Sequence, residues 1–263
     1  MMRLLFLGFL AVLLVPMTVV ADEVALYAAG SLKAALGEVA RDFEKTTGHK
    51  VVTNFAPSGL LRQRIEKGEP AQVFASANMK HPTKLHRDGR AGPVIMFARN
   101  KLCAIAQPEV AVDTGSLLEV LLDPNTRIGT STPKADPSGD YAWALFRKAD
   151  KVKPGAFKML DAKAMKLTGG RDTAKAPKGR NQYGWIMEGR KADLFLTYCT
   201  NAALAKKEVP DLKIVAVPEA LSVGAKYGIT LLKGAPMAAE KLKIHILSAN
   251  GQRVLARYGF DAP

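Results

Sequence analysis

The sequence predicts a two-lobe α/β protein, in which each lobe is a mixed, mainly parallel sheet flanked by helices and a cleft separates the lobes. Short apolar strands alternate with apolar residues at helical spacing along most of the chain, as in sheets built from βαβ units. This order breaks near residues 98–102 and again near 224–229. We therefore expect the chain to cross between the lobes there, so that residues 22–99 plus 228–263 form lobe 1 and residues 100–227 form lobe 2.

The first 21 residues predict a signal peptide. They contain one positive residue, Arg3, then an apolar run from Leu4 to Val20, and a small-residue cleavage site at Ala21. A retained membrane anchor is the alternative, because the run is almost long enough to span a bilayer. Pro16 and the Val-x-Ala site favour cleavage, so we expect a periplasmic protein.

The alternation of elements is clearest in the first half. Leu32, Leu36, Val39 and Phe43 repeat at helical spacing after the first strand, which predicts a helix. A βαβαβ start follows, with right-handed crossovers and a parallel sheet. The predicted strands are Val24–Ala29, Lys50–Ala56 and Gln72–Ala77, and the helices between and after them begin near Leu32, Leu60 and Met79.

The pattern changes after residue 93. Two closely spaced β-type runs, Val94–Ala98 and Leu102–Ala106, are followed by a second α/β unit, whereas the Lys- and Gly-rich stretch 151–178 predicts an exposed loop. The later predicted strands are Arg127–Thr130, Leu194–Tyr198, Ile214–Val217 and Lys226–Leu232. The helices are Ser116–Leu122, one from Gly139, Tyr183–Glu188, Asn201–Lys207, Ala238–Leu247 and Gly251–Tyr258.

Composition and residue spacing argue against nucleic acid as a partner and against a metal site. The formal net charge is +14, but the Lys and Arg residues are scattered and the chain is predicted to be exported, which argues against nucleic acid. A basic surface attracts anionic solutes. The four histidines form no metal-ligand pattern and predict no metal site. Cys103 and Cys199 are compatible either with one disulfide or with two buried thiols.

Three serines share one local context. Ser31, Ser58 and Ser138 each stand directly before an amphipathic helix, beside Gly or Pro. A helix N-terminus offers unpaired N–H donors and partial positive charge, so it binds anions. Each serine alone is also a preferred helix cap. Because strand-to-helix turns open at the same edge of a parallel sheet, the three together predict an anion site at the cleft.

Several motifs make the chain resemble the periplasmic molybdate-binding proteins that feed ABC importers. They are AAGSLKAAL, FAPSGLLRQRIEKGEPAQVFASA, ARNKL, DPSGDYA, ADLFLTYCTNA and RYGF, and the resemblance runs from Val24 to Phe260. It implies the two-lobe periplasmic binding protein fold. It also implies a tetrahedral oxyanion held by Ser31, Ser58, the turn at Ser138 and the Tyr198 hydroxyl.

The resemblance assigns a further donor by position, at Arg180. Its backbone N–H is implied as a ligand, and we favour an inward guanidinium, with a solvated outward one as the alternative. Gln72, Ser138 and Asn201 also depart from the family pattern. These departures leave the second-lobe half of the site and the exact anion open.

The resulting functional hypothesis is a monomeric solute-binding protein without a cofactor and without enzymatic activity. It captures molybdate, or also tungstate, and delivers it to an ABC permease in the inner membrane. One alternative is a different small anion, either sulfate or a carboxylate-bearing ligand. Another is an exported serine hydrolase, for which no histidine stands at a promising strand end.

Overall fold

A computed structural model describes residues 22–263, and the predicted signal peptide lies outside them. Within these residues, strands β1 to β9 are Glu23–Ala29, Lys50–Ala56, Val73–Ser76, Ile95–Ala106, Ile128–Ser131, Met165–Thr168, Leu194–Tyr198, Lys213–Ala216 and Gly224–Leu231. Helices α1 to α10 are Lys33–Thr47, Ser58–Glu66, Lys80–Arg87, Leu117–Leu122, Pro137–Val152, Ala156–Lys163, Gln182–Glu188, Cys199–Glu208, Met237–Leu247 and Ala249–Arg257. None of these helices is long and apolar enough to cross a membrane.

One half of the sheet contains the N-terminal βαβαβ unit. Its strand order is β2-β1-β3-β9-β4, and β1 is parallel to both β2 and β3. Helix α1 buries Leu36, Val39 and Phe43 against this half, as their helical spacing predicts. Gly48 ends α1 at a φ of +76°, which favours glycine. The parallel start predicted from the sequence is confirmed.

The other half of the sheet has the order β4-β7-β5-β6, with β8 paired to β4. Strand β5 is parallel to β6 and β7, whereas β4 is antiparallel to β7 and β8. Because strands β5 and β7 run in the same direction, the helices that follow them, α5 and α8, begin at the same edge of the sheet. The two halves are mixed sheets with flanking helices, and among residues 22–263 four of their strand pairings are parallel and four antiparallel. The predicted α/β fold class is confirmed, although the sheets are not mainly parallel.

Strands β4 and β9 join the two halves. The sequence predicted two separate β-type runs here, but the structure has one continuous β4. Its middle residues keep a strand pattern, since Asn100 is buried while Arg99 and Lys101 are exposed. They pair with residues 224–226 of β9. We expect lobe motion to bend the chain at these pairs, and the lobe boundaries themselves stay a prediction.

The segment 151–178 corrects the sequence analysis, which predicted an exposed loop. It contains α6 and β6. Ala156 and Leu160 lie one turn apart on α6 and are both buried in the core, and β6 pairs with β5. Most lysines of this segment are exposed. Their number made the two buried apolar residues of α6 hard to recognise in the sequence.

Cys103 and Cys199 form a disulfide, which decides between the two alternatives that the sequence left open. Cys103 lies on β4 and Cys199 is the first residue of α8, directly after Tyr198. The bond therefore ties the end of β7 to the strand that joins the two halves.

We expect the Cys103→Ser variant to unfold at lower temperature than the oxidised wild type. The bridge closes a loop with a sequence separation of 96 residues, and such a loop stabilises a protein by roughly 2–4 kcal/mol. Thermal unfolding with and without reductant measures the effect. Wild type and variant unfolding at the same temperature under oxidising conditions would contradict a stabilising disulfide.

Candidate functional site

A cavity of about 1290 Å³ opens where β1 and β2 lead into their helices. One wall contains Ser31 and Ser58, and the facing wall contains Tyr198 and the segment 168–183. Among the described lining residues, eight are Lys or Arg and three are Asp or Glu. The excess of positive charge favours an anionic ligand.

Ser58 is a buried donor at the start of α2. Its Oγ accepts the backbone N–H of Ala77 at 3.1 Å. A hydroxyl carries one proton as well as acceptor lone pairs, so this bond leaves the Ser58 proton free to donate into the cavity.

Ser31 is held at the edge of the cavity by a chain of hydrogen bonds. It lies in a 3₁₀ turn between β1 and α1, and its Oγ is 3.0 Å from the hydroxyl of Tyr227. The Asn100 Nδ2 donates to that Tyr227 hydroxyl at 3.4 Å, while the Asn100 Oδ1 accepts the Lys101 N–H at 2.9 Å and fixes the amide orientation.

These bonds set the direction of donation. Because Asn100 donates to the Tyr227 oxygen, the Tyr227 proton is available for Ser31 Oγ, and the Ser31 proton is then free for a ligand. Burial raises the pKa of the Tyr227 phenol above its ordinary value, which keeps it a neutral donor. Sequence analysis missed both Asn100 and Tyr227, although each lies in a crossing segment that it identified.

Tyr198 ends β7 and is almost completely buried. Its hydroxyl donates to the carbonyl oxygen of Ala77 at 3.5 Å, and Ala77 is also the residue whose N–H is bound to Ser58. Its ring centroid is 5.6 Å from that of Tyr227. Burial also raises the pKa of the Tyr198 phenol. The structure thus brings Ser31, Ser58 and Tyr198 to one neutral, donor-rich part of the cavity.

Ser138 is not part of the cavity lining. It is the second residue of α5 and is fully buried. Its backbone N–H, the donor implied by the resemblance, is bound to Asp136 Oδ1 at 3.0 Å. Its Oγ has no hydrogen-bond partner among the described residues. The α5 N-terminus is therefore capped by its own chain.

Arg180 lies at the rim of the cavity, and its guanidinium is paired with two carboxylates. Its Nε and a terminal guanidinium nitrogen pair with Glu208 and Glu188 at 2.7 and 2.6 Å, and its backbone N–H donates to the Pro177 carbonyl at 3.1 Å. The inward guanidinium favoured by the sequence is not the arrangement in the structure. The carboxylates of Glu188 and Glu208 form charge-assisted hydrogen bonds with the guanidinium, and these bonds are stronger than those it would make with water in the cleft.

We expect Arg180→Ala to leave anion affinity within about twofold of wild type, because its guanidinium is paired with two carboxylates and does not face the three donors. Titration calorimetry at low and high salt checks this. A large loss of affinity with a flattened salt dependence would show that the guanidinium turns inward on binding.

Asp136 also lines the cavity, although the sequence did not predict it as a site residue. Its Oδ1 caps α5 by accepting the Ser138 N–H. Its side chain packs closely against Gly169, because a Cβ added to that glycine would lie only 2.7 Å from the Asp136 Oδ2. Withdrawal from solvent raises the pKa of the Asp136 carboxyl to about 6. An Asp before Pro-Ser-Gly predicts a helix cap, but nothing in the sequence places that cap on a cavity wall.

The two walls meet at Gly59 and Gln63 of α2. The Gly59 N–H donates to the Ala135 carbonyl at 2.8 Å, and the Arg171 guanidinium contacts the Gln63 side-chain oxygen. A Cβ on Gly59 would overlap the Lys134 carbonyl and lie 2.7 Å from the Ala135 oxygen. Glycine is therefore required for this close approach.

The fold and this cavity define a two-lobe binding protein. Residues 24–261 match the family of bacterial extracellular solute-binding proteins, and the chain belongs to that family. It is 37% identical over 215 residues to an uncharacterized protein of Pasteurella multocida, covering 80% of this chain and 87% of that one.

Two molybdate-binding proteins are also similar. The chain is 28% identical over 254 residues to ModA of Haemophilus influenzae, covering 91% of this chain and 90% of that one. The structure of the Azotobacter vinelandii periplasmic molybdate-binding protein matches with a TM-score of 0.71 at 22% identity, over 91% of this chain and 99% of that one. The resemblance predicted from the motifs is thus confirmed, and the structural match shows the shared fold.

Proposed function

We propose that the protein captures a tetrahedral oxyanion, molybdate and also tungstate, outside the cytoplasm and delivers it to an ABC importer in the inner membrane. The observation that carries the proposal is the convergence of three hydroxyl donors, those of Ser31, Ser58 and Tyr198, on a cavity with a net positive lining. The two molybdate-binding relatives support the same assignment.

The chemistry of the donors suits an anion that has no proton to give. The Ser58 hydroxyl already accepts the Ala77 N–H, and the Ser31 hydroxyl lies beside the Tyr227 phenol, so both have a proton left for a ligand. Molybdate, tungstate and sulfate offer only acceptors, and hydrogen bonds to a charged group contribute about 1.5–3 kcal/mol each.

One observation favours a larger ligand. The cavity volume of about 1290 Å³ exceeds the roughly 300–1,000 Å³ typical of sites for organic ligands. A carboxylate-bearing anion is therefore the second candidate, with its charged group held by the same hydroxyls. The hydrolase alternative needs a base beside a serine, and the described lining residues include no histidine.

Titration calorimetry of the mature protein with molybdate, tungstate, sulfate and citrate tests the proposal. We expect saturable, one-to-one binding of molybdate and tungstate, with weaker binding of sulfate. A ligand bound only by the folded state raises the unfolding temperature, so a thermal-shift series is an independent check. Binding of citrate alone would favour the second candidate and contradict the proposed one.

A further inference from the structure

We propose that Asp136 makes the cavity a proton-coupled anion site, in which one proton lies between its carboxyl group and the bound oxyanion. This inference rests on the proposed function, because it specifies how the same cavity selects its anion. The proton comes either from a protonated Asp136, when the ligand has none, or from the ligand.

The position of Asp136 is the first reason. It lies on the cavity wall directly after Ala135, whose carbonyl accepts the Gly59 N–H next to Ser58. It therefore belongs to the part of the cavity wall that meets α2. Its Oδ1 is bound to the Ser138 N–H, and the Ser131 hydroxyl also interacts with the carboxyl group and lowers its pKa. The carboxyl group lines the cavity and is therefore within reach of a ligand.

The surroundings of Asp136 are the second reason. None of the cations in the described part of the chain forms an ion pair with it. The titratable groups that influence it are Asp140 one turn along α5, Tyr183 of α7 and Tyr198 of β7. None of these is a positive charge, and withdrawal from water raises the pKa of the Asp136 carboxyl to about 6.

A carboxylate in this position opposes a fully ionised anion. Like charges that share a poorly solvated site cannot both stay ionised, and a single proton between them converts repulsion into a hydrogen bond. A proton on Asp136 gives the site a donor for molybdate. An ionised Asp136 instead accepts a hydrogen bond from the protonated oxygen of an anion such as hydrogen phosphate, which the hydroxyl donors alone do not favour.

The test is calorimetry of wild type and Asp136→Asn with sodium molybdate and with inorganic phosphate, from about pH 5 to about pH 8. Asn is an equally good helix cap, so α5 keeps its N-terminal bond, and its amide supplies a permanent donor. We expect wild-type molybdate affinity to fall about tenfold for each pH unit above the Asp136 pKa. The variant should bind molybdate with little pH dependence, and it should bind phosphate more weakly than wild type.

Asp140→Asn is the comparison variant, since it removes a nearby negative charge without touching the cavity lining. Because the Asp140 charge helps to raise the pKa of the Asp136 carboxyl, we expect this variant to keep a pH dependence of the same steepness, with its midpoint moved to lower pH. Wild-type molybdate binding that is independent of pH, or an Asp136→Asn variant that titrates like wild type, would overturn the inference and leave the proposed function standing. Absence of oxyanion binding at every pH would overturn both.

Discussion

Replacing Gly59 with alanine is expected to weaken anion binding by about 5- to 150-fold, equivalent to about 1–3 kcal/mol. The new Cβ would collide with the carbonyl oxygens of Lys134 and Ala135 across the cavity. It would also displace the Gly59 N–H from its bond to Ala135. The walls could then no longer approach as the structure shows, and the anion would lose donors from one side.

The effect should be specific to closure. Gly37→Ala is the matched control, because its Cβ would make only an ordinary contact, 3.7 Å from Arg41, on the exposed side of α1. Small-angle scattering with and without saturating molybdate reports closure directly. We expect compaction of wild type and Gly37→Ala but not of Gly59→Ala. Full affinity in Gly59→Ala would show that ligand binding does not need this contact.

The second large effect is expected from the two serine hydroxyls. Ser31→Ala and Ser58→Ala should each reduce molybdate affinity by about 1.5–3 kcal/mol, the contribution of a hydrogen bond to a charged group. The double variant should bind at least a hundredfold more weakly. Titration calorimetry of the folded variants measures these losses.

The two serines differ in their effect on folding. Ser58→Ala also leaves the buried Ala77 N–H without its partner, which costs about 1–3 kcal/mol of stability, whereas Ser31→Ala removes only a contact to Tyr227. Ser222→Ala, a half-buried serine outside the cavity lining, is the control for both. A double variant that binds molybdate like wild type would show that the anion site lies elsewhere.

The parts of the fold that the sequence could predict are those with a local signal. The spacing of Leu36, Val39 and Phe43 predicts α1, and the βαβαβ order predicts parallel pairing of β1 with its neighbours. The lysines around α6 masked its two buried residues. The continuity of β4 depends on pairing with β9, more than 100 residues away in sequence, for which a short window carries no signal.

The same limit applies to the site. Ser31, Ser58 and Tyr198 could be found because helix starts and family motifs mark them. Tyr227 and Asn100 act through contacts between distant strands, and Asp136 was visible only as a helix cap. The interactions of Arg180 with Glu188 and Glu208 depend on where α7 and α8 pack, so its orientation could not be read from its neighbours in sequence.

The central claim is that one tetrahedral oxyanion binds between Ser31, Ser58 and Tyr198. A crystal structure with tungstate tests it most directly, because the anomalous signal of tungsten locates the ligand without reference to the protein. We predict a single strong peak in the cavity, with both serine hydroxyls and the Tyr198 hydroxyl within hydrogen-bond distance of the anion oxygens. A peak outside the cavity, or a cavity without tungsten at saturating tungstate, would contradict the account.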